Sequence, residues 1–292
     1  MTTRSQILDF YTQPDVMTAL AGHGVQPERL LDDIAALARI VQSVLLHEHI
    51  APAYGQTLAP QRRLQSHIRP VSQMLDALAQ ADAPPLAARA PDQRLVGVCR
   101  HFTLLMVAML RAKGIPARAR CGFGAYFQPG KYLDHWVCEY WNEARQKWIL
   151  VDAQIDDVQR ALFKIDFDTL DVARDQFLVA GDAWALCGAG TADAGQFGIL
   201  DMHGLWFIAS NIARDTAALN NMAMLPWDVW GNMAKGDELL VGERLAYFDR
   251  LAAMTRAPDD NFAHLRALYR DDERLRVPPV VFNAVLNRPD AL

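Results

Sequence analysis

Three residues able to do covalent chemistry fall within one stretch of the chain: Cys99, His135 and Asp152. Cys99 opens an apolar run, residues 99–113, that carries Phe102, Leu104, Leu105, Met106, Val107, Met109 and Leu110. A helix apolar on nearly all sides is buried and central. Gly114 and Pro116 end it. A thiol at a helix start sits among unpaired N–H groups and positive potential, which favour the thiolate. Residues 89–120 hold seven basic side chains against Asp92 alone, a bias in the same direction.

Three strand-like runs follow, at residues 117–127, 134–142 and 147–154, rich in aromatic and β-branched residues. His135 opens the second and Asp152 closes the third. A turn over residues 143–146 pairs Asn142 with Lys147. Residue numbers keep a constant sum along an antiparallel pair, so Asp152 lies opposite Val137, on the face that His135 shares. A register shifted by one pair puts Asp152 opposite His135 itself. Either register lets the carboxylate orient the imidazole, with the two side chains expected within hydrogen-bond reach. Thiol, imidazole and carboxylate are the parts of a nucleophilic triad. The thiolate attacks a carbonyl, the imidazolium protonates the leaving group, and the carboxylate fixes the tautomer.

The segment GVCRHFTLLMVAMLRAKGIPARARCGFGAYF, followed by DHWVCEYWNEARQKWILVDAQ, resembles the transglutaminase-like superfamily over about sixty residues. The shared pattern falls on Gly97-Val98-Cys99, Leu110 to Arg118, His135-Trp136 and Trp148 to Asp152. The resemblance implies a papain-like α+β fold and an acyl-thioester on Cys99. His135 would be the acid/base and Asp152 the orienting carboxylate. Gln93 stands six residues before Cys99, the place of a papain-type oxyanion glutamine; no Trp shortly before Cys99 could take that role. The family includes cross-linking, amide hydrolysis, deglycosylation and proteolysis, so hydrolase and transferase both stand. The expected substrate is a peptide or small amide. Arylamine N-acetyltransferases carry a similar Cys–His–Asp set and form one alternative. A catalytically silent binding scaffold is the other. The Gly-Ile-Pro-Ala-Arg segment, residues 114–118, fits the transglutaminase-like pattern better.

The elements that must position these groups divide the chain in three. Residues 1–90 read as a helical N-terminal segment, with helices at 27–50, opened by Pro27 and Glu28, and at 68–78. Residues 81–94, with three prolines, read as a connector. Residues 91–160 form the catalytic core. Residues 161–292 form a second helical segment packed on it, with helices at 168–187, 203–222, 236–256 and 260–274. The fold class is α+β: a papain/transglutaminase-like core, made of a buried helix carrying the cysteine and an antiparallel sheet, with large helical flanks.

Composition narrows the partners. The 292 residues are 51% hydrophobic and 22% charged, which is globular. A net charge of −5 argues against a general nucleic-acid binder. Cys99, Cys121, Cys138 and Cys187 form neither a disulfide framework nor a zinc ribbon, and Cys121 and Cys138 read as core thiols. His101, two residues from Cys99, faces away from it. The His47-Glu48-His49 run lacks the spacing that puts two imidazoles on one helix face, so no metal and no cofactor are expected. Trp206, Trp227 and Trp230 read as packing residues. The first residues lack a basic start followed by an apolar run, and the longest apolar stretch falls short of the about 20 residues that cross a bilayer. The expectation is a cytoplasmic protein that does not engage a membrane, with its oligomeric state open.

Overall fold

The computed structural model describes residues 2–20, 22–79 and 84–292. Residues 81–83, the start of the expected connector, lie outside them. The first half of the chain runs α1 (Arg4–Thr12), α2 (Ile34–Val44), β1 (Leu45–His47), α3 (Pro60–Arg63), α4 (Val71–Ala79), β2 (Leu95–Gly97), α5 (Cys99–Ala112), β3 (Ala117–Gly124), β4 (Tyr132–Asn142) and β5 (Lys147–Val151). Then follow α6 (Asp157–Phe163), β6 (Phe177–Val179), α7 (Ala180–Gly188), β7 (Phe197–Ile199), β8 (Met202–His203), α8 (Leu205–Leu219), β9 (Asp228–Val229), α9 (Gly242–Arg256), α10 (Phe262–Asp271), β10 (Val280–Asn283) and β11 (Arg288–Ala291). The α+β class expected from the sequence is the class observed.

The chain divides into two compact units. One comprises Leu8–Ala119 and Val137–Val172. Its centre is α5, buried at every residue from Cys99 to Arg111. Gly114, at φ 74°, takes the left-handed turn that ends this helix. Helices α2 and α4 pack against α5 with their own apolar faces: Leu37, Val41 and Val44 from α2, Val71, Met74 and Leu75 from α4. Here β4 pairs with β5 in the expected register: Asn142 opposite Lys147, continuing to Cys138 opposite Val151.

Two expectations are corrected in this unit. The helix read over 27–50 begins only at Ile34, because the Asp33 side chain accepts from the Ala35 and Ala36 N–H groups and fixes the start there. It ends at Val44, because residues 45–47 form a parallel pair with residues 95–97. The strand read over 147–154 stops at Val151. Asp152 N–H donates to Thr169 O instead (2.8 Å), and Asp152 Oδ1 accepts Gln154 N–H (3.1 Å).

The other unit comprises Met1–Ile7, Arg120–Trp136 and Ala173–Leu292. Its strand order is β6–β3–β4–β7–β8. Gly122 opposes Val179 in the β3–β6 pair. A Cβ at Gly122 would stand 2.1 Å from Leu178 O, so only glycine admits strand β6 this closely. The helix read over 168–187 is corrected on the same ground: Phe177–Val179 pairs as a strand and the helix starts at Ala180. Helices α7, α8 and α9 pack on one another. A second sheet, β9–β10–β11, was not expected in the C-terminal segment. Its strands are short, and residues 280–291 contain Pro289 and an Asn at positive φ, so period-2 patterning is faint. Among the described residues no helix is long and apolar enough to cross a membrane.

Candidate active site

Cys99 is the first residue of α5, after the extended Val98. Its side chain is 6% exposed. Two neighbours explain why the chain reads Gly-Val-Cys. His101 N–H bonds back to Val98 O (2.8 Å), and His101 Nδ1 accepts Val98 N–H (3.1 Å). The imidazole thus closes the first turn in the manner of a capping box. A Cβ at Gly97 would meet His101 Cγ at 2.8 Å, so glycine makes room for that ring. His101 Nε2–H donates to Ile68 O (2.9 Å).

His101 is fully buried, and burial pulls its pKa down to about 3, with Arg100 adding repulsion. The unfolded chain, at about 6.5, binds this proton first. The stability His101 contributes is therefore complete above pH 6.5 and declines as pH falls toward 3. Near pH 4.5 the loss should be about 2–3 kcal/mol. His101→Gln should flatten that part of the profile; urea melts at pH 7 and pH 4.5 on both proteins measure it. Equal losses in the two proteins would mean that His101 is not the group responsible.

Asp152 follows β5 directly and is 1% exposed. One more step in the observed register puts it opposite Val137, as the constant sum requires. His135 lies in β4, 2% exposed, two residues before Val137. Strand β4 pairs with β7 through Tyr132 and Leu133 and with β5 from Cys138 onward, so His135 falls in the stretch between those two pairings. Aromatic rings wall the imidazole: Phe127 at 4.8 Å, Tyr126 at 6.0 Å and Phe177 at 6.3 Å between centroids, each edge-to-face. Gln93 ends a short 3-10 turn, Pro91–Gln93, and is exposed.

The basic excess around Cys99 does not act as a bare field. Arg111 pairs with Asp15, Lys113 with Asp32, Arg118 with Glu139 and Arg120 with Asp215. Arg89 gives its N–H groups to the carbonyls of Leu78, Pro84, Pro85 and Ala87, and Arg100 donates to Arg69 O. The acidic partners come from segments outside 89–120, which is why a local count of charge misses them.

Cys138 and Cys187 are held as thiols. Burial pushes Cys138 well above the usual thiol range. Burial, with Asp193 nearby, pushes Cys187 up to about 11 although it is only half-buried. No disulfide joins the four cysteines. Among the described residues no group of three His, Cys, Asp or Glu side chains is placed to hold a metal ion.

Sequence reasoning passed over one group beside Asp152. Gln154, Gln159, Tyr54 and Asp156 form a hydrogen-bonded cluster. The signal was present: Asp156 followed three residues later by Gln159 is a helix-start pattern, and Asp156 does cap α6.

Residues 62–153 match the family model described as the transglutaminase-like superfamily, a span that contains Gln93, Cys99, His135 and Asp152. No curated protein matches the chain. Among solved structures, the periplasmic domain of TgpA from Pseudomonas aeruginosa matches 56% of this chain and 53% of its own, at 20% identity and a TM-score of 0.31. A candidate cysteine protease from Cytophaga hutchinsonii matches 45% of each chain, at 22% identity and a TM-score of 0.18. The chain thus spans about half the length of each of these structures.

Proposed function

Proceeding from the transglutaminase-like domain matched over residues 62–153, we propose that the chain is a cysteine-dependent acyl-transfer enzyme acting on a peptide or side-chain amide. The observation that carries this reading is that the family match runs through Cys99, His135 and Asp152 in the family's order. The α5 start at Cys99 and the β4–β5 register support it.

In the first step the Cys99 thiolate attacks the amide carbonyl carbon. The tetrahedral oxyanion collapses, the C–N bond breaks, and the His135 imidazolium gives its proton to the departing amine. In the second step neutral His135 takes a proton from water or an acceptor amine as that nucleophile attacks the thioester. The acid or new amide leaves and the thiolate–imidazolium pair returns. Asp152 holds the imidazole's orientation and tautomer. Gln93 is proposed as an oxyanion donor that swings in with substrate. Incubation with a panel of acyl-p-nitroanilides and glutamine peptides, followed by intact mass, should show an acyl adduct on Cys99. Turnover of acetyl-CoA with an arylamine in its place would move the assignment to the N-acetyltransferase class, and no adduct from any donor would favour the scaffold. We also propose a cytoplasmic location, supported by the absence of any disulfide among four cysteines. Recovery in a periplasmic fraction would contradict it.

Cys99 should be alkylated faster at neutral pH than Cys138 or Cys187. Exposure alone would rank Cys187 first, since it is the half-buried one. Thiolate fraction reverses that order if Cys99 is activated by its helix start and by His135. His135→Ala should slow Cys99 labelling severalfold at pH 6 and little near pH 9. Peptide mapping after a short iodoacetamide pulse reads both; preferential labelling of Cys187 would remove the case for an activated Cys99.

A further inference from the structure

The five residues from Asp152 to Asp156 are pinned by side chains that the proposed chemistry does not use. Asp152 Oδ1 accepts Gln154 N–H (3.1 Å). The Gln154 side chain is buried, and its Nε2 donates to Gln159 Oε1 (2.8 Å). Gln159 Nε2 in turn donates to Gln154 O (3.1 Å) and to the Tyr54 hydroxyl (3.0 Å). The Tyr54 hydroxyl, 2.7 Å from both carboxylate oxygens of Asp156, donates to that group. Asp156 Oδ1 also accepts Gln159 N–H (3.0 Å). From α2, Gln42 Nε2 donates to Ile155 O (3.1 Å).

An orienting carboxylate works only if its own oxygens are held to within about 0.5 Å. Main-chain pairing, Asp152 N–H to Thr169 O (2.8 Å), holds the backbone of this residue but does not aim its carboxylate. The bond from Gln154 N–H fixes one oxygen, and Gln159 fixes Gln154 at both its side chain and its carbonyl. The Gln154 amide orientation is set by its donation to Gln159.

We propose that Gln159, acting through Gln154, is a positioning residue for Asp152, with Tyr54 and Asp156 as its anchor. The proposal rests on the triad reading above. Its test is the pH profile of Cys99 alkylation by iodoacetamide in the full chain, alongside thermal melts, for wild type, Asp152→Asn, Gln159→Leu and Tyr54→Phe. Asp152→Asn should slow labelling at pH 6 about tenfold. Gln159→Leu should move the profile at least a third of the way toward Asp152→Asn, on a logarithmic rate scale, with little change near pH 9. Tyr54→Phe should move it less in the same direction. If Gln159→Leu does not fold, Tyr54→Phe, which removes one oxygen atom, carries the comparison. A variant that melts earlier but keeps the wild-type profile would overturn the proposal and leave the cluster a scaffold. An Asp152→Asn profile identical to wild type would instead overturn the triad reading, and the proposal with it.

Discussion

Cys99→Ala is expected to reduce amide-directed turnover by about 10⁴-fold or more while the protein stays folded. The size of the loss follows from the role: without a nucleophile no thioester forms, and the remaining groups can only assist direct attack by water. The small effect on folding follows from the position. Cys99 is the first residue of α5, and its contribution to the packing is one sulfur atom at the end of a helix whose interior carries the apolar contacts. Alanine is also a good helix former. A stability change of about 1 kcal/mol is anticipated. Release of p-nitroaniline from acyl-p-nitroanilides gives the rate, and a thermal melt gives the fold. Wild-type turnover in the variant would assign the nucleophile elsewhere. Gross unfolding would make Cys99 a structural thiol.

The parts of the molecule that were legible in the sequence are those whose pattern is local. The α5 helix reads directly because Gly114 ends it and residues 104–110 before it are all apolar. The β4–β5 hairpin reads to within one pair because a four-residue turn joins two aromatic-rich runs, and of the two registers left open the one with Asn142 opposite Lys147 is observed. The elements misread are those decided by distant partners. Leu45–His47 has the composition to continue α2, yet it pairs with residues 95–97, about fifty positions away. Phe177–Val179 becomes a strand because Gly122 lets it approach β3. The charges around Cys99 follow the same rule. Seven basic residues look like a field until Asp15, Asp32, Glu139 and Asp215 arrive from elsewhere to pair four of them. The cluster behind Asp152 was missed although Asp156 and Gln159 signal a helix start, because the signal says nothing of Tyr54, about a hundred residues earlier.

Asp215→Ala should be among the most destabilising single substitutions in the chain, costing about 3–5 kcal/mol. Asp215 on α8 is fully buried and accepts three bonds: from Arg120 Nε (3.0 Å), from Arg120 Nη2 (2.8 Å) and from Cys121 N–H (2.9 Å). Arg120, on β3, is 1% exposed at its side chain and also donates to Thr255 O of α9 (2.7 Å). The pair therefore ties one strand to two helices. Two opposed effects decide its energetics. Forming the pair required stripping water from both charges, so its net contribution to stability is small. Removing one partner is a different matter, because the guanidinium stays buried without its carboxylate and the Cys121 N–H loses an acceptor. Domains have about 5–15 kcal/mol in all, so this loss is about a third to a half of the total at the midpoint of that range. The double variant Arg120→Met/Asp215→Leu should then be more stable than Asp215→Ala alone, since no charge is stranded. Urea melts at pH 7 on the single and double variants decide the matter. If the double variant loses as much as the sum of Arg120→Met and Asp215→Leu measured separately, the two residues contribute independently and the stranded-charge account fails.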